Sequence, residues 1–405
     1  MKFYKLKKSA ESNLISFSSI NLGLFCFFYC LSCVSESDIN EKFNKYAPGK
    51  SRVAFEEGII LKTDTLFNFD AISNFFHYDQ DGTEEIVVLN GNAIYEFDPL
   101  TGEMIDSWEF PVEGPGRVRG RNQLDGVIKL KDTIYLLTHH MLNQIYRISS
   151  KNAEVQFKMN ADQRGVKAFS ASALSSPIRN PRKEEEVIIP LINSSRIEKH
   201  SKAFAFAKFN YKEKSLEEII NYPAIFDDHH WADQIYIYLA NIQYIPKKEQ
   251  YYVSFAITPE VYIFDEEFGQ VGKKWVQSNL IPEIHPFRDE KLGMDDVIDF
   301  QVERRHFRSM SFYLGAYYDP LQQLYFRFAR KAMKDETGEN GYRYQYSMIV
   351  CNSDLKIIDE IALDNHYNLF KTFVSSKGLM ILNEKKLTEE SSLPFDRVVV
   401  RNISD

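Results

Sequence analysis

Cysteine is nearly absent from this 405-residue chain: there are four, and Cys26 and Cys30 sit in an apolar stretch near the N-terminus. Past residue 32 only Cys33 and Cys351 remain, too few for a disulfide framework. Basic charge is also in deficit. Lys and Arg total 49 against 57 Asp and Glu, net −8, and four lysines and one glutamate fall in the first 32 residues, so the remainder sits near −11. Nucleic-acid binders carry a basic face, so phosphate-backbone binding is excluded as the main task and no nucleic acid is expected. No apolar run reaches the ~18–20 residues of a membrane-crossing helix. Glycine (18) and proline (14) are modest and form no linker-like cluster. Long amphipathic helical patterns are missing as well, apart from short helical turns expected at 215–220 and 294–299.

What is present begins with Lys2, Lys5, Lys7 and Lys8, followed by an apolar core over 22–31 and then Ser32-Cys33. A basic front, a short apolar middle and a small residue before the cut make a secretory signal. A cysteine directly after Ser32 makes it a lipoprotein signal, although Cys30 stands where leucine is usual. Residues 1–32 are therefore expected to be a lipoprotein signal peptide and 33–50 a tether. Cys33 is the expected lipidation site, its acyl chains holding the protein on a membrane without a spanning helix. An ordinary cleaved signal or an uncleaved anchor is the alternative. The expected location is the outer membrane, periplasmic or surface-exposed. Val34-Ser35-Glu36-Ser37-Asp38 resembles the surface-export signals of Bacteroidota lipoproteins. Cys351, in an apolar strand pattern, reads as a buried small hydrophobe.

Aromatics are abundant (31 Phe, 23 Tyr), which favours β structure. A strand–turn cadence at 76–79, 85–89, 94–98 and 104–105 recurs five more times. The second strand of each copy centres on Val87, Tyr135, Ile188, Tyr252, Tyr325 and Met380, at intervals of 48, 53, 64, 73 and 55 residues. Those intervals suit propeller blades of ~40–50 residues with loops added. A four-stranded unit buries both faces only against like units arranged radially. The sixth copy stops at its third strand, so 58–61 or nearby is expected to supply the missing outer strand. The predicted fold is all-β, a single six-bladed β-propeller over 51–405, its ring closed by an N-terminal strand joining the last blade. A two-domain all-β chain is the alternative. The stretches 276–307 and 331–343 are charged and turn-rich, and are expected as surface excursions.

With the lipidated cysteine, the six repeats and Glu113-Gly114-Pro115-Gly116 after the first blade, the chain resembles the six-bladed propeller lipoproteins of Bacteroidota, a family of the domain-of-unknown-function type. That resemblance implies a propeller on a lipid tether and supplies no activity or catalytic residues.

Chemistry-bearing motifs are few. Gly114-Pro115-Gly116 lacks the glycine spacing and following helix of a phosphate cradle. His139-His140 and His229-His230 are adjacent pairs whose side chains diverge on a strand, and no His-Glu-x-x-His spacing accompanies them, so no metal is expected. Asp79-Gln80-Asp81-Gly82 lacks the rest of a calcium loop and reads as a hairpin turn. No Gly-x-Ser-x-Gly elbow is found. No cofactor is expected, and no catalytic set can be named.

Residues leading into the innermost strands crowd a propeller's central channel. Here they include Arg119, Arg121, Asn122, His229, His230, Arg304, Arg305, His306, Arg308, His366 and Asn368, with Asp227, Asp228 and Asp233 flanking one of them. A calcium-dependent lactonase-type propeller needs Asp, Glu and Asn oxygens there. A basic, His-containing mouth suits an anionic or carbonyl-rich ligand. The candidate ligand-binding set is Arg119, Arg121, His229, His230, Trp231, Arg308 and His366; without a ligand, the same arginines are solvated loop residues. The expected function is a cell-envelope binding or scaffold propeller engaging such a ligand, a peptide, a glycan or a partner protein. A hydrolase or lyase at the channel mouth is the alternative.

Overall fold

The computed structural model describes residues 52–401 except 65–66, 81, 111–123, 132–133, 140–143, 150–151, 159–166, 170–175, 194–198, 233–234, 291–298, 336, 338–340 and 388–391. The expected signal and tether, Cys33, Glu113 to Gly116, Arg119 and Arg121 all lie outside the described residues. Among the described residues no helix is long and apolar enough to cross a membrane.

Six antiparallel sheets form a ring of blades. Blade 1 runs outward through Ile72–Gln80, Thr83–Asn90, Ala93–Phe97 and Met104–Glu109. Blade 2 comprises Leu124–Lys131, Ile134–His139, Gln144–Ser149 and Asn152–Lys158. In blade 3 the innermost position is shared by Lys167–Phe169 and Ile178–Arg179, which both pair with Glu186–Asn193; Phe204–Asn210 and Ser215–Asn221 complete it. Blade 4 holds Ala240–Ile245, Gln250–Phe255, Glu260–Phe264 and Gln270–Trp275, and blade 5 holds Phe312–Asp319, Leu324–Lys334, Tyr342–Asn352 and Ile357–Leu363. Blade 6 is built from Tyr367–Ser375, Gly378–Asn383 and Ser392–Val400, and its outermost strand is the N-terminal Val53–Lys62.

That closure matches the sequence expectation for 58–61. Val53–Lys62 runs antiparallel to Ser392–Val400 from Val53↔Val400 to Lys62↔Ser392. The register shifts between Glu57 and Ile59, making Gly58 the bulge residue. A Cβ there would lie 2.7 Å from the Phe395 carbonyl oxygen, so only glycine fits. The far end of the strand is tied to blade 1, where the Lys62 N–H donates to the Gly102 carbonyl (2.8 Å). Gly102 has φ +74°, and an added Cβ would sit 1.9 Å from the Ile60 carbonyl oxygen.

Every second strand is apolar because blades pack on both of its faces. Val87, Ile188, Tyr325 and Met380 are fully buried, which is why continuous apolar runs, rather than alternation, marked these strands. Aromatic pairs fill the seams. Phe75 stacks on Phe373 (5.2 Å) between blades 1 and 6, Trp108 meets Tyr135 edge-on (5.0 Å) between blades 1 and 2, and Tyr252 meets Tyr325 (5.9 Å) between blades 4 and 5. Asp319 and Gln322 lock blade 5 to blade 6: the carboxylate accepts from the Leu379 N–H (3.2 Å), and the Gln322 amide bonds Val398 O and Val400 N (both 2.8 Å). Cys351 is buried and free, its thiol pushed up to about 12 by burial.

Three local expectations are corrected. The stretch 215–220 is not a helical turn: Ser215–Asn221 is the outermost strand of blade 3, paired with Phe204–Asn210. Within the stretch 331–343, residues 331–334 and 342–343 are ladder rather than excursion, with pairing running out to Lys334↔Tyr342. Residues 294–298 of the other expected helical turn lie outside the described residues; between blades 4 and 5, Arg304, Arg305, His306 and Arg308 lie on a helix, Phe300–Ser309, rather than at the start of the innermost strand, which begins at Phe312.

Candidate functional site

Two long interblade connections fold together over the start of the innermost strands. Residues 222–239 lead from blade 3 to blade 4, and residues 276–311 from blade 4 to blade 5. In the first, Pro223 precedes a one-turn helix, α1 (Ile225–Asp228), which ends where His229 adopts extended backbone (φ −139°). Phe226 anchors this turn among Tyr222, Tyr238 and Phe255, and the Asp227 carboxylate accepts from the Ser201 N–H (2.9 Å). The second connection contains helix α2 (Phe300–Ser309). Asp299 caps its N-terminus by accepting from the Gln301 N–H (2.8 Å). Its C-terminal carbonyls receive a cation: Arg330 of blade 5 donates to Phe307 O and Met310 O, both at 3.1 Å. The same guanidinium lies over the Phe312 and Tyr344 rings, at 4.1 and 4.4 Å.

The two connections are joined at His230. Its N–H donates to Arg288 O (3.1 Å), and its carbonyl accepts from the N–H groups of Phe287 (2.8 Å) and Arg288 (3.1 Å). The imidazole Nε2 lies 2.8 Å from Oε1 of Glu303 on α2, and the two side chains are 0 % and 2 % exposed. His306, one turn further on, packs on Phe287 (5.2 Å), and burial holds its imidazole below the ordinary histidine range. The inward stripe of α2 is thus Glu303, His306 and Phe307, followed by Met310, a 3.6-residue spacing. Glu303 is the sole carboxylate of the helix, and it is turned inside. Outside are Arg304 and Arg305, with Phe300 and Val302 exposed beside them and Arg308 half-buried.

Blade 6 completes this rim. Its innermost strand jumps register between Asn368 and Thr372, and the three residues in that jump include Phe370 and Lys371. Phe370 meets Tyr236 edge-on (5.8 Å), and Tyr236 stacks on Phe307 of α2 (6.0 Å). The Lys371 ammonium lies 3.6 Å from the centre of the Phe69 ring and donates to the Phe69 carbonyl. Burial pulls its pKa down to about 8, against the opposing charges of Asp70 and Glu384.

Of the residues singled out from sequence, His229, His230 and Trp231 come together in this cap. His229 is half-buried, its Nδ1–H directed at the Asp289 carbonyl oxygen (3.0 Å). The buried Trp231 donates its indole N–H to Ile225 O (3.2 Å). Arg308 sits on α2. His366 stands in the turn that opens blade 6, against the Tyr367 ring (4.3 Å) and 3.9 Å from the Asp364 carboxylate. Sequence reasoning missed Glu303, Tyr236 and Lys371. Glu303 was findable from the 3.6-residue stripe; for Lys371 the sequence carries no signal, because only the bulge aims it.

The His230–Glu303 pair is sealed from solvent, so it cements the cap rather than offering a base to a substrate. Among the described residues no three His, Cys, Asp or Glu side chains converge as a metal site. The outer face of α2 presents Arg304 and Arg305 beside Phe300, while exposed Asp228, Glu283, Asp289 and Glu290 stand elsewhere on the two connections.

Comparison with known proteins places this architecture. The family model described as a domain of unknown function (DUF4221) matches residues 53–362. A solved member of that family from Bacteroides vulgatus aligns with a TM-score of 0.67 at 17 % identity, over 85 % of this chain and 98 % of that one. A calcium-binding protein, regucalcin, from Agrobacterium tumefaciens aligns at 0.42 with 10 % identity, over 82 % and 92 % of the two chains. Virginiamycin B lyase from Staphylococcus aureus aligns at 0.40 with 9 % identity, over 86 % and 99 %. Scores at that level carry no argument about activity. No curated protein matches the chain in sequence.

Proposed function

The chain belongs to the DUF4221 family of domains of unknown function, and from the geometry of its cap we propose that it is a cell-envelope lipoprotein whose propeller binds an anionic or carbonyl-rich ligand. One observation carries the ligand class. The only acid of α2 is turned inward onto His230, while Arg304, Arg305 and Arg308 make no ion pair among the described residues. These arginines stand out against a chain that is acidic overall. Guanidinium groups beside exposed Phe300 and Val302 suit carboxylates carried on a glycan, a peptide or a partner protein, which they can grip bidentately. The rigid seat supplied by His230, Tyr236 and Arg330 lowers the ordering cost of binding.

Two measurements test the two halves of this reading. Reversing Arg304, Arg305 and Arg308 to glutamate is expected to weaken retardation by polygalacturonate about tenfold or more and to abolish its salt dependence. Neutral dextran serves as the control. Equal retardation of the triple variant and the parent would remove the cap from the function. For the envelope address, Cys33→Ser is expected to move the full-length chain from the membrane fraction to the soluble fraction and to end incorporation of labelled palmitate. An unchanged distribution would discard the lipid anchor.

A further inference from the structure

A cavity of about 420 Å³ lies away from the cap, between the outer strands of blade 2 and the outer hairpin turn of blade 3. Leu130 and Tyr211 give it apolar wall, and the polar lining comes from Arg147, Glu154, Gln156, Lys212 and Lys214. That volume falls in the range of small-molecule sites.

The local structure leaves donors unused here. Arg147 and Glu154 are direct cross-strand partners in the ladder of blade 2, a position at which opposite charges normally pair. Glu154 instead reaches across the seam to Lys214 of blade 3 (3.3 Å), and Arg147 makes no ion pair among the described residues. Gln156 is the extra residue where the register shifts opposite Ile145 and Tyr146, so no cross-strand neighbour claims its side chain. It is 8 % exposed, and its amide nitrogen has no acceptor, a state that costs free energy unless something fills it. The turn carrying Lys212 and Lys214 is fixed by the Asn210 side chain, which accepts from the N–H groups of Lys212 and Glu213 (3.0 Å each).

We propose that this cavity is a second binding site, and that it takes a small organic carboxylate. A guanidinium and an adjacent amide donor match the two oxygens of one carboxylate. The three cations face one wall carboxylate, Glu154, which favours a monoanion over a doubly charged phosphate. Leu130 and the Tyr211 ring would hold an apolar or sugar-like body.

The test titrates the soluble protein with benzoate, gluconate and digalacturonate, against benzyl alcohol, glucose and inorganic phosphate, by calorimetry and by the Arg147 Nε–H resonance. At least one carboxylate is expected to bind and shift that resonance, with the neutral compounds silent. Arg147→Ala and the volume-conserving Gln156→Leu should each weaken binding about tenfold, the worth of a charge-assisted hydrogen bond. The cap variant with Arg304, Arg305 and Arg308 reversed should bind like the parent, so failure here and failure of the cap reading remain separate results. The proposal falls if no carboxylate binds, if both cavity variants bind as the parent does, or if phosphate binds as tightly as the best carboxylate.

Discussion

Arg327→Met is expected to lower the unfolding free energy by about 3 kcal/mol or more, read as a fall in the urea midpoint with an unchanged slope. Arg327 sits on the second strand of blade 5 and is fully buried without a carboxylate partner. Its NH1 donates to Pro259 O (3.0 Å) and Val276 O (3.2 Å), and its NH2 to Phe255 O (2.9 Å) and Thr258 O (2.6 Å). The guanidinium lies 3.7 Å from the centre of the Tyr313 ring. One side chain thus pins the hairpin turn and the outgoing connection of blade 4 onto blade 5. Burying a cation is costly, and burial lowers its pKa. Replacing a buried ion pair by apolar residues is often neutral, because both charges leave together. Here the partners are backbone carbonyls, which no substitution can remove. Pro259 O keeps the Val276 N–H (2.9 Å), so Val276 O, Phe255 O and Thr258 O are the acceptors that lose their donor, at about 1–3 kcal/mol for each one left unsatisfied. Arg327→Lys should recover less than half of the loss, since an ammonium has three donors, no planar fork and no ring stacking. A methionine variant as stable as the parent would show that the carbonyls find other partners.

Arg327 also marks where the chain could be read and where it could not. The ring was legible because a strand packed on both faces is apolar over most of its buried length. The six apolar centres at Val87, Tyr135, Ile188, Tyr252, Tyr325 and Met380 each fall on the second strand of a blade. Closure by residues around 58–61 followed from counting strands in the last blade. The failures came where local preference and tertiary pairing disagree. Ser215 to Ile220 (Ser-Leu-Glu-Glu-Ile-Ile) is rich in helix formers, yet Phe204–Asn210 offered a free edge and took it as a strand. The charged stretch 331–343 reads as loop, but 331–334 and 342–343 belong to the outer end of a long hairpin whose side chains are mostly half-exposed.

The site was legible in part. His229, His230 and Trp231 drew notice as a polar–aromatic cluster ahead of an innermost strand. The partner that explains His230, Glu303, is 73 residues away, and no spacing rule connects them. The sequence does carry a signal for the buried charges. Arg327 stands between Phe326 and Phe328, and Lys129 between Ile128 and Leu130. In a fold that buries both faces of such strands, a charge in an apolar run must be paired or bonded inside.

Lys129 supplies the second large effect. Its ammonium is buried between blades 1 and 2, bonded to Glu85 and to Glu96 (2.7 Å), with Tyr135 donating to the same Glu96 oxygen. The Tyr78 ring lies beside it, its centre 5.0 Å away. Burial alone would lower the lysine pKa, but the two carboxylates outweigh it and hold it raised. Burial raises Glu96, and the bonds from Lys129 and Tyr135 offset only part of that rise. Lys129→Met therefore strands two carboxylates in a closed seam. At about pH 7.5 the variant is expected to be about 3–5 kcal/mol less stable than the parent, the usual cost of orphaning a buried charge. The pH dependence has a definite sign. A carboxyl whose folded pKa lies above its unfolded value binds its proton more tightly when folded, so its contribution is fully present below the unfolded value of about 4.5. That contribution is lost as pH rises through the folded pKa. Without Lys129 the folded value of Glu96 climbs further, so the window widens in the variant. The gap between the two proteins should narrow from about pH 7.5 to about pH 5, while acid effects common to both cancel in the difference. Adding Glu96→Gln to the methionine variant should restore part of the loss at the higher pH and little at the lower one. Urea unfolding of the three proteins at both pH values decides the matter. A gap that does not change with pH would mean that the lost stability came from packing around the lysine stem, and not from the stranded carboxylates.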